Sequence, residues 1–302
     1  MKIYLFILIL FFVYSTNIFS QRKKNNKADF VKSTPAALRI DDYKKRLESS
    51  IEHFKNKDSS TSSSKSTGKE IKILERAISL LEAQNIPVLT IRDFGTKGLI
   101  GQEKEELSPY YRLIKSTGIS AKQGSNAGSY GHGQNALIAK SNIKAYTLYS
   151  HFKNEKGDKQ TLFAGNSILC THLDPSTNEK TQDTGFIGKI INPNELESYR
   201  NDDLQNISFP YKRLEDGTDI YVWGFNYDQL RWDLYLAMGL IKGFFQAIRE
   251  KKINFKIVDD NNNKTLHEIS SQNLDEYYFL LENQVKERMG LKAWNKEMQS
   301  IY

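Results

Sequence analysis

The sequence predicts an α+β two-layer sandwich, a mixed and mostly antiparallel sheet with helices on one face. Three observations carry this. Runs rich in β-branched and aromatic residues recur at 88–92, 143–150, 161–170, 184–191, 218–225 and 253–258. Leu230, Leu234, Met238, Ile241, Phe245 and Ile248 form an apolar stripe on a helix over 228–250, which reads as core. Ile71, Leu74, Ala77, Ile78 and Leu81 recur at helical spacing within 69–85. Helices that each bury one stripe against a sheet of this kind make a two-layer fold.

In chain order, Lys2 precedes an apolar run from Ile3 to Tyr14, followed by small and polar residues to Gln21. That is the layout of a secretory signal, and the run is shorter than the about 20 residues a membrane span needs. Arg22, Lys23, Lys24, Lys27 and Lys32 follow, opposed by Asp29. A positive flank favours an inverted anchor that keeps the following chain cytoplasmic. Export, and a truncated or fused chain with decayed function, stand beside that preferred reading. Residues 36–56 read as an exposed helix, and Asp58 to Gly68, rich in Ser, Thr and Lys, as a linker. A short helical piece is expected near Tyr110 to Lys115 and another at Glu195 to Asn201. The division expected is 1–21 leader or anchor, 22–68 basic flank, helix and linker, 69–258 main domain, and 259–302 helical extension.

Two glycine motifs stand out. Asp93-Phe94-Gly95-Thr96-Lys97-Gly98-Leu99 follows the apolar run Val88 to Ile91, and Gly128-Ser129-Tyr130-Gly131-His132-Gly133 precedes a helix-compatible run from Gln134 to Lys140. A carboxylate at a strand end can accept a hydrogen bond from an amino group such as that of adenine. Glycines let the backbone turn sharply and approach a flat ring, and a glycine cluster opening a helix directs N–H groups and a positive end at an anion. The reading is an ATP pocket. A P-loop is excluded, because Gln134 and Asn135 stand where lysine and a hydroxyl belong. A G-x-G-x-x-G fingerprint is excluded because the run is G-x-x-G-x-G. The interval from Gly98 to Ala127 is long, polar and punctuated by glycine, and reads as a lid.

The stretch from Val88 to Ile257 resembles the GHKL ATPases, the group of DNA gyrase B, the related heat-shock chaperone, histidine kinases and MutL-type repair proteins. It is most similar to bacterial ATP-binding proteins of that type. The first box is Ile91 to Leu99, the second Gly128 to Ala136, and the resemblance extends to Gly217 through Phe225. It implies a Bergerat-type fold with ATP and Mg2+ as cofactors. Asp93, Gly95, Thr96 and Gly98 would contact the base, and Gly128, Ser129, Gly131, His132, Gly133 and Gln134 the phosphates. The family's second box has lysine where this chain has Gln134. Its upstream E-x-x-x-N is matched by Glu52 and Asn56, without the usual Asp-Ala after it. Spacing of four puts both on one helical face. Glu52 would be the general base and Asn56 the metal ligand.

Of 302 residues, 39% are apolar and 26% charged, with net charge +7, compatible with a globular body. One cysteine, Cys170, excludes an intrachain disulfide, and the five histidines show no zinc spacing. The expected function is ATP binding of GHKL type, with Mg-dependent hydrolysis coupled to lid closure and to a homodimer or protein client. Two alternatives are a catalytically degenerate nucleotide-binding or interaction module and a nucleic-acid-associated ATPase, the latter from the basic balance. Membrane contact is expected only through the N-terminal segment.

Overall fold

The computed structural model describes residues 5–15, 40–58, 64–83, 85–115, 133–192, 195–204, 213–225, 232–260 and 263–289. The protein is α+β, with a mostly antiparallel sheet and helices. The chain divides into two compact units, one of residues 1–11, 91–96 and 227–302, the other of 12–90 and 97–226.

In the first unit, β1 (Leu5–Ser15) aligns Leu5 to Phe11 in parallel with Ile253 to Asp259 of β10 (Ile253–Asp259), which pairs antiparallel with β11 (Lys264–Ile269). α5 (Trp232–Arg249) covers β10 and β11 with Leu234, Ala237, Ile241 and Ile248, which meet Ile253, Phe255, Ile257 and Ile269 in one buried cluster. The stripe expected on this helix is therefore core, although Leu230 lies outside the described residues. α6 (Leu274–Met289) closes the cluster with Leu274. One expectation needs correcting here. The region after 258 begins with strand β11 rather than helix, because His267 and Ile269 pair with β10 while Leu266 and Ile269 pack in the cluster beneath α5. Within the apolar leader, Leu5–Ser15 is strand β1, a run whose β-branched and aromatic residues suit a strand. Among the described residues no helix is long and apolar enough to cross a membrane.

In the second unit the strand order is β2-β9-β3-β4-β5, from β2 (Asn85–Phe94), β9 (Gly217–Trp223), β3 (Ala145–Lys153), β4 (Lys159–Ile168) and β5 (Thr184–Ile187). β3 pairs antiparallel with both β4 and β9 over most of its length. Its run of buried residues from Ala145 to Phe152 fits a strand enclosed on both sides. α3 (Pro109–Ile114) and α4 (Gly133–Lys140) bury Tyr110, Ile114 and Ile138 against Tyr146, Leu148 and Phe152. α1 (Ile40–Asp58) and α2 (Ser64–Glu82) pair as a hairpin that buries Tyr43, Leu47, Ile51, Leu74 and Ala77 against Ile143 and Ala145.

α1 is thus not an exposed helix: Tyr43, Leu47 and Ile51 recur every fourth residue and make a core stripe. The helix expected at 195–201 is instead β7 (Glu195–Glu197) and β8 (Tyr199–Arg200), followed by a 3-10 turn at Asn201–Leu204. Glu, Leu and Arg favour a helix locally. Pairing of Tyr199 with Phe163 and burial of its ring override that preference. The strand expected at 184–191 is broken after Ile187, and β6 (Lys189–Asn192) turns away to pair with β7.

Candidate functional site

β2 carries Asp93 one residue from its end, half-buried, and Arg92 sits 5.4 Å from the centre of the Phe94 ring. Gly95 and Gly98 then adopt φ of +70° and +68°, the left-handed region. Residues with a Cβ are strained there, so the glycines of the first motif meet a conformational need of the turn. At Gly98 there is a second need. A Cβ built on it would lie 2.3 Å from the His151 carbonyl oxygen, so the bare backbone is seated on β3.

The next residue makes the attachment. The Leu99 amide donates to the buried Ser150 hydroxyl at 2.8 Å, and that hydroxyl donates to the Gly217 carbonyl at 2.9 Å and lies 3.1 Å from the Thr218 hydroxyl. One serine on β3 thereby joins the end of the first glycine motif to the start of β9. Beside it, His151 Nδ1 is 2.9 Å from the Asp216 carboxylate. Arg213 forms a buried ion pair with Asp219 and donates to the Glu215 and Asp216 carbonyls at 2.9 and 3.2 Å. Burial, with the negative charge of Asp219, pushes the Tyr149 phenol up from its ordinary value.

The described part of the expected lid is docked. Glu103 accepts from the Tyr110 hydroxyl at 2.7 Å, from the Ser198 amide at 2.9 Å and from the Ser198 hydroxyl, with Lys115 at 3.3 Å and Arg200 at 3.5 Å. Arg200 also donates to the Gly101 carbonyl at 2.9 Å, and Lys115 to the Leu196 carbonyl at 2.6 Å. Burial works to raise the Glu103 carboxyl, but the hydrogen bonds from Ser198 and Tyr110 and the charge of Lys115 outweigh it and hold it below the usual range. Residues 98–115 are therefore fastened to β7 and β8 through one carboxylate.

The other expected site residues divide as follows. Asp93, Gly95 and Thr96 belong to the first unit, and Glu52, Asn56, Gly98, Gly133 and Gln134 to the second. Glu52 and Asn56 both stand on the exposed side of α1, as their spacing requires. Gly133 and Gln134 open α4. Gly128, Ser129, Gly131 and His132 lie outside the described residues. Among the described residues no cluster of three or more His, Cys, Asp or Glu side chains is placed to hold a metal.

Sequence reasoning missed Ser150, Glu103 and Arg213. A serine in a strand that also carries Thr147 and His151 is a weak signal for Ser150. Glu103 and Arg213 sit in polar stretches that mark them in no way.

No family model matches this chain, and no curated protein matches it. Among solved structures it is similar to a topoisomerase IV ATP-binding domain of Francisella tularensis in complex with a small-molecule inhibitor, at 16% identity and a TM-score of 0.30. That likeness covers 65% of this chain and 44% of the other, so the chain spans less than half the length of the structure it matches.

Proposed function

We propose that this protein binds ATP, using residues of its two glycine motifs. The observation that carries the reading is the first motif itself. A carboxylate at the end of β2 is followed by two glycines held at positive φ, and the second is seated directly on β3. Such a turn presents Asp93 from a rigid strand end, where it accepts a hydrogen bond from the adenine amino group. The N-terminus of α4, opened by Gly133 and Gln134, supplies N–H donors to phosphate. Gln134 adds a neutral hydrogen bond where a lysine would add charge, which favours binding over rapid turnover. In this reading Asn56 would help hold Mg2+, which would supply neutralising charge for the phosphates, and Glu52 would orient a water for slow hydrolysis.

Calorimetry of the full chain with ATP and magnesium, beside Asp93→Asn, tests this. The expected result is saturable binding that weakens about tenfold or more in the variant, the equivalent of one hydrogen bond of about 1.4 kcal/mol. No heat of binding from a folded protein would replace the reading with that of an interaction module, in which the glycines serve the turn alone. The absent lysine is the specific observation on that side.

A further inference from the structure

We infer that helix α1 is fastened to the turn at 170–181 by an acid-labile clasp that opens when His172 takes up a proton. The inference does not rest on ATP binding. The 170–181 segment folds back on itself: Leu173 bridges Lys180, the Thr181 amide donates to the His172 carbonyl at 2.8 Å, and the Asp174 amide donates to that of Glu179 at 2.8 Å. One face of α1 lies on it. Arg46 pairs with Asp174 at 2.7 Å, the Ser49 hydroxyl donates to the Leu173 carbonyl at 2.8 Å, and the Cys170 thiol donates to the Ser50 carbonyl at 3.5 Å.

His172 is 4% exposed within this seam. Its Nδ1 lies 2.8 Å from the Cys170 carbonyl, which can only accept, so Nδ1 carries the hydrogen and Nε2 holds the lone pair. Nε2 is buried and has no hydrogen-bonding partner among the described residues, and neither has the buried Ser50 hydroxyl oxygen. A proton on Nε2 would create a buried cationic N–H with no acceptor, which is costly. The charged and titratable groups around it add to the cost. On α1, Arg46 and His53 both act against a charged His172. On the turn, the Cys170 thiol is committed to Ser50. Asp174, the anion that favours a charged ring, already serves Arg46 and the amide and hydroxyl of Ser176. Hydration of Nε2 therefore requires the α1 seam to part. Glu52 and His53 lie on the same helix, so the event reaches the exposed side of α1 as well.

Hydrogen–deuterium exchange on the full chain, corrected for intrinsic rates, would be measured from about pH 7.5 to about pH 5.5, across the ordinary histidine range. Protection of residues 43–53 and 170–181 should fall by up to about tenfold per pH unit, the limit for one coupled proton. His172→Gln, which cannot gain charge, should lose the response, and His53→Gln should keep it. Protection that does not change with pH, or a response that persists in His172→Gln, overturns the clasp. Should His172→Gln fail to fold, imidazole carbon-13 titration of the wild-type protein decides. One ring titrating below the ordinary value together with the exchange onset supports the clasp, and all rings at the ordinary value refute it.

Discussion

Gly98 is seated on the carbonyl of His151 so closely that a Cβ in its place would lie 2.3 Å from the oxygen. The contact ties the end of the first glycine motif to β3, and the adjacent Leu99–Ser150 hydrogen bond of 2.8 Å reinforces it.

Gly98→Ala should therefore carry two costs, a left-handed backbone and a steric clash, for a loss of about 2–4 kcal/mol of stability. Gly157 offers a control, with φ of +86° and open space where a Cβ would go. Gly157→Ala should lose about 1–2 kcal/mol, the backbone cost alone. Urea unfolding of the two variants compares them, and equal losses would mean that the His151 contact contributes nothing.

Glu103→Gln should destabilise the protein by about 1–3 kcal/mol, since Arg200 and Lys115 lose their shared anion while the Ser198 and Tyr110 donors keep a weaker acceptor. The folded carboxyl lies below its usual value, so its contribution is present above about pH 4.3 and is lost as pH falls toward the folded value. The variant should accordingly show a shallower loss of stability in that acid window. Chemical denaturation at a series of acid pH values measures both effects. An unchanged slope would show that the carboxylate is not the charge that holds residues 98–115.

Two separate acid windows are expected where α1 meets the 170–181 turn. Burial lowers the His172 imidazole, against the opposing effect of its hydrogen bond to the Cys170 carbonyl. The unfolded chain then binds a proton first, and stability falls as pH drops below about 6.5. Asp174 acts lower. Burial would raise its carboxyl, but the Ser176 hydrogen bonds and Arg46 outweigh that and bring it to about 2. Its contribution is present above about pH 3.9 and fades as pH falls toward the folded value. Asp174→Asn should remove the lower window and leave the upper one, as read from melting temperature against pH.

At the alkaline end, Tyr277 hydrogen-bonds His267 Nδ1, whose Nε2 is held by Asp233 at 2.8 Å. Burial and the Asp233 charge push the phenol up to about 12. The unfolded phenol ionises near pH 10, so stability is full below that value and declines as pH rises toward the folded one. Burial also raises Tyr43, Tyr146 and Tyr199. Ultraviolet titration of the folded protein should lag that of the unfolded chain. Tyr277→Phe should lose about 1–2 kcal/mol at neutral pH, the worth of one buried hydrogen bond, and should flatten part of the alkaline decline. An unaltered alkaline profile would show that Tyr277 is not linked to folding.

Much of the fold is legible in the chain. The stripe through Leu234, Ile241 and Ile248 faces the core as its spacing requires, and the strands near 145, 161, 218 and 253 appear within a few residues of their expected bounds. The 195–204 region was illegible because its helical preference is local, whereas the pairing of Phe163 with Tyr199 is not. The first glycine motif could be read as a strand end followed by a turn. That Gly98 meets His151 could not, for nothing in either local sequence names the other.

By itself the sequence determined which face of α5 turns inward and where glycines allow the sharp turn after β2. Backbone sterics and side-chain periodicity act over a few residues, so a linear chain displays them. Only the tertiary structure decided the partners. It placed Leu5 to Phe11 beside β10, drew Glu103 to Ser198 across 95 positions, and set Leu99 on Ser150 across 51. Those contacts follow from what remains to be covered and hydrogen-bonded once the local elements have formed.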